Sequence, residues 1–163
     1  MTPTGLPLEV QRLILADDWN GALEAVIRHM NADSGTIHLV ESDGHLHLKA
    51  ASAAIPPAVL ERVRVVPVGK GMAGLAVERR EPVTVCNIQT DTSGDVRPGA
   101  KLTGMEGAIA LPMFRGAEIA GVLGVANRGE RTFTEAEQEL LLEVGREMAE
   151  TRPATSKPSA QGA

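Results

Sequence analysis

Aromatic residues are nearly absent: Trp19, Phe114 and Phe133 amount to 2% of the 163 residues, and there is no tyrosine. The core must therefore be aliphatic, and a site that stacks planar bases on aromatic faces has little to be built from. Cys86 is the only cysteine, which excludes an intrachain disulfide and a cysteine-rich zinc site and suits a reducing compartment. An excess of positive charge is missing too. The net charge of −5 argues against nucleic acid as a direct partner, because neutralising phosphates needs a basic surface. No apolar run approaches the length that spans a membrane, and the opening MTPTGLPLEVQ lacks the basic and apolar regions of a signal peptide. These absences lead to the expectation of a cytoplasmic protein without direct contact to membrane or nucleic acid. What the chain does have is 43% hydrophobic residues, enough for one domain with a substantial core.

Met1–Gly5 reads as a loose lead-in, residues 6–151 as a single domain, and Arg152–Ala163 (RPATSKPSAQGA) as a tail disordered by composition. Apolar residues at 6, 10, 13 and 14 predict a short helix ending near Asp17. Asp18 is placed to cap a second one carrying Trp19, Leu23, Val26, Ile27 and Met30 at helical spacing. Thr36–Glu41 and His45–Ala51 read as strands around Asp43-Gly44. A two-residue turn there would set Ile37, Leu39, Leu46, Leu48 and Ala50 on one face. Then follow a helical turn over Ala58–Arg62, an edge strand over Val63–Val68, a brief helix over Met72–Arg79 and a strand over Val83–Cys86. Asn87–Glu106 is long and polar, a length that within a domain usually carries function.

The most informative stretch is Gly107–Glu137. Two apolar runs, Ala108–Phe114 and Ile119–Ala126, flank the polar turn Arg115–Glu118 and predict an antiparallel hairpin. Alternation places Ile109, Leu111 and Met113 on one face and Ala108, Ala110 and Phe114 on the other. In the second run Ile119, Leu123 and Val125 oppose Ala120, Val122 and Ala126. Both faces are apolar, so the pair should be central and covered on both sides. Small residues such as Gly121 and Gly124 leave room for a helix or a ligand. Thr134 followed by Glu137 is a capping box, opening a helix over Glu135–Thr151.

This stretch resembles the C-terminal half of a GAF domain, a small-molecule-sensing and dimerisation module. The residues that carry the likeness are Asn127-Arg128, Phe133 and Glu137-Gln138, with Arg in place of the family's Lys and Glu-Gln in place of Asp-Glu. An Arg128–Glu137 pair would tie the strand end to the helix start. The resemblance runs from about Leu8 to Met148. It implies an α+β fold: a mostly antiparallel sheet of about six strands, helices on one face, and a pocket under short helices and a loop on the other. It also implies pairing through the terminal helices, and Leu15 and Leu142, off the main apolar stripes, fit a homodimer. No kinase, cyclase or DNA-binding segment follows Thr151, so the expected output is through a partner protein or a longer chain.

Three motifs admit other chemistry. Gly69-Lys70-Gly71-Met72-Ala73-Gly74 spells GxGxxG, and Asp91 follows at a distance suited to a ribose. The helix after it is too short for a crossover between parallel strands, and alternating βαβ units are missing. The resemblance gives Gly69, Gly71 and Gly74 a structural role, since GAF domains commonly have a Gly-rich turn here that lets a helix tuck over the pocket. Cys86 invites comparison with the free methionine-(R)-sulfoxide reductase of the GAF family. That enzyme's cysteine in the Gly-rich turn falls at Ala73 here, and none lies in Asn87–Glu106. Cys86 at a strand end reads instead as a small buried hydrophobe. His38, His45 and His47 point the same way if the first hairpin has a two-residue turn and form a weak metal candidate, countered by Lys49 among them. His29 reads as surface.

The pocket is then expected to be aliphatic and methionine-lined. Its candidates are Met72, Cys86, Arg97, Lys101, Met105, Ile109, Leu111 and Met113, with an unidentified ligand and no catalytic residue. Covalent bilin attachment lacks a suitably placed cysteine. A purine nucleotide would find little beyond Phe114, Arg97 and Lys101, and haem finds no histidine in Asn87–Glu106.

Overall fold

A computed structural model describes residues 6–151; the expected lead-in and tail lie outside the described residues. Two helices come first, α1 (Leu8–Leu15) and α2 (Trp19–His29). The Asp18 carboxylate accepts the Gly21 N–H at 2.9 Å, capping α2 as its position predicts. There follow β1 (Ser34–Val40), β2 (Leu46–Ala51), α3 (Pro57–Val63), β3 (Val65–Val66), α4 (Gly71–Arg79) and β4 (Val83–Val85). A 3-10 helix, Pro98–Thr103, interrupts the long polar segment before β5 (Gly107–Arg115), β6 (Glu118–Asn127) and α5 (Glu135–Thr151).

The six strands form one sheet in the order β3-β2-β1-β6-β5-β4, with every neighbouring pair antiparallel. This is the expected α+β plan, and β5 and β6 lie inside the sheet. One face packs on α1, α2 and α5. Leu23, Ile37, Leu111, Met113, Leu123, Leu141 and Met148 are fully buried there, each contributing about 2 kcal/mol by leaving water. The other face carries smaller clusters, Leu46, Val66, Ala76, Val83, Ala110 and Val122, then Val85, Ile88, Met105 and Ala108.

The register of the first hairpin differs from the expected one. Glu41 N–H donates to His45 C=O at 3.0 Å, so the loop is the three residues Ser42–Gly44, with Gly44 at φ +82°. Val40 then pairs with Leu46, Leu39 with His47, and His38 with Leu48. A one-residue slip turns each side chain to the opposite face. Leu46 joins Val66 and Val122 on the second face, while Ile37 and Leu39 stay in the helix-side core. A bulge at Lys49 restores the expected phase for Ala50, which pairs with Ile37 and is buried with it. A second bulge makes Ala120 the extra residue of β6 and shifts it to the helix side, against the expectation from strict alternation. Beside it Gly121 crosses β1 so closely that a Cβ would collide with the His38 carbonyl oxygen.

Candidate functional site

Between the second sheet face and the short helices lies a cavity of about 450 Å³. Its floor is Ala108, Ala110, Gly124 and Ala126, whose small side chains on β5 and β6 leave the space open. Val59 and Val63 of α3 form one wall, and the start of α4 another. The segment 87–106 closes the remaining side with Ile88, Val96, Ala100 and Met105. It is held at both ends. Ile88 N–H donates to Glu106 C=O at 2.6 Å, the Gln89 amide donates to Met105 C=O at 2.8 Å, and Arg79 grips Asp95 through two contacts of 3.0 and 3.1 Å.

The Gly-rich turn delivers α4 to this cavity. Gly71 sits at φ +68°, and a Cβ there would meet Arg97 Cδ at 2.8 Å, so glycine is needed both for the backbone and for the guanidinium stem lying across it. The Lys70 side chain does not cap the helix; the first internal bond is Gly74 N–H to Lys70 C=O at 3.1 Å. The start of α4 at Gly71, Met72 and Ala73 therefore faces the cavity without a capping side chain.

His38 projects from β1 into the same space. It is 3% exposed, and its Nε2 lies 2.8 Å from the Val63 carbonyl oxygen, which can only accept. Nε2 thus carries the proton, and Nδ1 is a buried lone pair with no partner in the described residues. Burial pushes the imidazole below its ordinary pKa against the opposing Val63 bond, and the His47 charge acts the same way as burial.

Of the residues expected at the pocket, Met72, Arg97, Met105 and Ile109 lie along the cavity, although the Ile109 side chain belongs to the helix-side core. Leu111 and Met113 do not line it: they share the Ile109 face and are buried under α5. Lys101, exposed on the 3-10 helix, does not line it either. Cys86 is exposed just past β4 and outside the cavity, which corrects both its assignment to the pocket and its reading as a buried hydrophobe. Phe114 lies at the far end of the hairpin beneath Arg80, 5.5 Å from the guanidinium. The three histidines do not converge. His38 faces the cavity, whereas His47 Nε2 turns back to the Asp43 carboxylate at 2.9 Å and His45 is exposed. No group of three or more metal-binding side chains occurs among the described residues. Residues that the sequence reading passed over are Val59, Arg62 and Lys70. The helical turn expected over Ala58–Arg62 is there as α3, but nothing local says that it walls a cavity.

The β6–α5 junction is tied as its motif suggests, with one exchange. Thr134 and Glu137 form the capping box, Thr134 N–H to Glu137 Oε1 at 2.9 Å and Glu137 N–H to Thr134 Oγ1 at 3.1 Å. The ion pair to Glu137 comes from Arg131 at 3.0 Å, not from Arg128, whose backbone N–H instead donates to Asp33 at 2.8 Å. Arg131 also covers Phe133, 4.3 Å from the ring centroid, and donates to the Asn127 side-chain oxygen at 2.8 Å. Asn127 itself donates to Asn31 C=O at 2.8 Å.

The GAF domain family model matches residues 20–151. The chain belongs to the GAF family. Among solved structures, this GAF domain is similar to the one from an Acinetobacter phosphoenolpyruvate-protein phosphotransferase, with 21% identity, 96% of each chain covered and a TM-score of 0.72. It is similar also to a free methionine-R-sulfoxide reductase from Neisseria meningitidis solved with its substrate, at 16% identity over 87% of this chain and 83% of that one, TM-score 0.70. A domain assigned to a two-component sensor histidine kinase from Sinorhizobium meliloti gives 16% identity, coverage of 82% and 87%, and a TM-score of 0.64. Identities this low establish a shared fold. Comparison with characterised protein sequences gives no match. No helix among the described residues is long and apolar enough to cross a membrane.

Proposed function

We propose that this GAF domain is a non-catalytic regulatory sensor of a small molecule, acting in the cytoplasm as a homodimer through its terminal helices and passing its signal to a partner protein or a linked output domain. The observation that carries this reading is the cavity of about 450 Å³, within the range of about 300–1,000 Å³ in which small organic ligands are held. A purely structural dimerisation module would have that space filled. A route from the cavity to α5 exists in the hydrogen bonds at the root of segment 87–106. Asn87 donates to Glu130 at 2.7 Å and Arg131 N–H to Cys86 C=O at 3.3 Å, next to the Arg131–Glu137 pair that opens α5. A ligand that binds better to one arrangement of the segment shifts its population and, through these bonds, the setting of α5. A reductase mechanism that passes through a disulfide needs thiols at the substrate, and the one cysteine lies outside the cavity.

Native mass spectrometry of the purified protein beside denaturing spectra of the same sample tests this. A discrete extra mass retained only under native conditions supports a sensor. No adduct, together with no thermal shift across a nucleotide, amino-acid and metal panel, points to the structural module. Turnover of free methionine-(R)-sulfoxide would overturn the non-catalytic part.

A further inference from the structure

The neutral polar groups that the cavity can offer a ligand narrow to two hydroxyls on β1. Ser34, Thr36 and His38 take the cavity face of that strand, while Gly35 and Ile37 between them lie against the helix-side core. His38 gives the cavity no hydrogen bond, because Nε2 is held by the Val63 carbonyl and Nδ1 is sealed. Thr103 is occupied as well: it donates to Ala100 C=O at 2.8 Å and accepts the Met105 N–H at 3.0 Å. The side chains of Ser34 and Thr36 form no hydrogen bond with a described residue. Among the described residues His38 Nδ1 is the one side-chain polar atom both sealed and unpartnered, so the Ser34 hydroxyl is open. Ser34 is 5% exposed as a whole, and what its hydroxyl opens onto is the cavity that it lines. Thr36 Oγ1 stands beside the floor, 3.5 Å from where a Cβ on Gly124 would lie, and Ser34 pairs with Ala126 next to it. Two free hydroxyls in an aliphatic wall call for a partner.

We infer that the cavity takes a neutral, chiefly aliphatic molecule whose hydroxyl or carbonyl oxygen bonds to Ser34 and Thr36. Its apolar body lies on the Ala108–Ala110 floor against Val59 and Val63. No carboxylate lines the cavity among the described residues, so a buried ammonium would lack a counter-charge. The cations Arg62, Lys70 and Arg97 are all exposed, where water already serves them and a contact to an anion is worth little. No aromatic side chain lines the space, so a planar base has nothing to stack on. The inference rests on the sensor reading above and narrows the ligand class, setting nucleotides, amino acids and organic acids aside.

The test is isothermal titration of the full chain with 1-octanol, octanoate and octylammonium. 1-Octanol should bind about tenfold more tightly than either ion, with a negative heat-capacity change, the mark of buried apolar surface. Raised salt should leave its affinity unchanged. Thr36→Val, close in shape and at home in a strand, combined with Ser34→Ala should weaken 1-octanol about fivefold, the scale of a lost neutral hydrogen bond. Should that double variant fold poorly, the salt series on the wild type still decides, because an anion held by Arg62, Lys70 and Arg97 weakens with salt and 1-octanol does not. Octanoate binding as tightly as 1-octanol, affinity for 1-octanol that falls with salt, or a well-folded double variant that binds it undiminished overturns the assignment. The last of these would mean that the two hydroxyls serve water alone. Should 1-octanol fail to bind while the native mass spectrum carries another adduct, the ligand class falls and the sensor reading stands. With no adduct either, both fall.

Discussion

His38 is the residue where the sheet, α3 and the cavity meet, and its chemistry is set by what surrounds it. Val63 fixes the proton on Nε2, and burial disfavours a second proton on Nδ1. Its pKa in the folded chain therefore lies below the ordinary value of about 6.5 that it regains on unfolding. The unfolded state takes up a proton first as pH falls, so stability is present above 6.5 and is lost below it until the folded-state pKa is passed. The midpoint of thermal unfolding of the ligand-free domain should fall between pH 7.5 and 5, and His38→Phe should remove part of that dependence. An identical pH profile in the two proteins would show that His38 is not the group responsible. The sequence put His38 on a candidate metal face because pairing was inferred from Asp43-Gly44 alone. The extra loop residue is a property of the folded turn: His38 stays on the face opposite Ile37 and Leu39 as alternation along β1 requires, while His47, paired with Leu39, is turned to the other face and the three do not converge. Cys86 misled for another reason: it was read as buried from its residue type, whereas alternation along β4 sets it on the side of exposed Thr84 and opposite buried Val83 and Val85.

At the scale of elements, what was legible is what local chemistry determines. The final helix begins and ends where the capping box and its apolar stripe place it, at Glu135–Thr151, and α2 begins at its Asp18 cap. The Gly-rich turn leads into α4 as its glycines suggest. What depended on partners distant in sequence was less legible. The bulges at Lys49 and Ala120 shift whole faces, and the choice of Arg131 over Arg128 follows from where β6 releases the chain. At the α5 start, the Thr134 N–H, then Arg131, hold the Glu137 carboxyl below the usual carboxylate range. Thr134→Ala should cost about 1 kcal/mol by removing the reciprocal cap, lowering the unfolding midpoint by about 2–4 °C, with Thr134→Ser retaining most of the stability. Equal losses in both variants would mean that the methyl group, not the hydroxyl, matters there.

At the scale of the whole molecule, the question is what α1 and α5 do beyond covering the sheet. Val10 and Ile14 of α1 are buried against the core, but Leu8 and Leu15 are 71% and 65% exposed. Seven residues apart, they lie on one side of the helix, two turns from each other. Leu142 does not join them; it is half-buried against the core, so of the two residues first singled out for a dimer surface Leu15 alone is fully open. Two leucines are too small an area for a stable interface of about 1,200 Å² or more, so the pairing proposed above would have to draw on neighbouring parts of α1 and α5 as well. Leu8→Glu with Leu15→Glu places two like charges per protomer in that contact and touches nothing in the core. The double variant should run as a monomer by light scattering at concentrations where the wild type is a dimer, with an unfolding midpoint lowered only by the loss of pairing itself. A wild type that stays monomeric at tens of micromolar would overturn the homodimer itself, whereas a double variant that still pairs would remove α1 from the interface. Pairing by another face would then carry the signal, and the hydrogen-bonded root of segment 87–106 would have to act on β4 or the β5–β6 hairpin in place of the terminal helices.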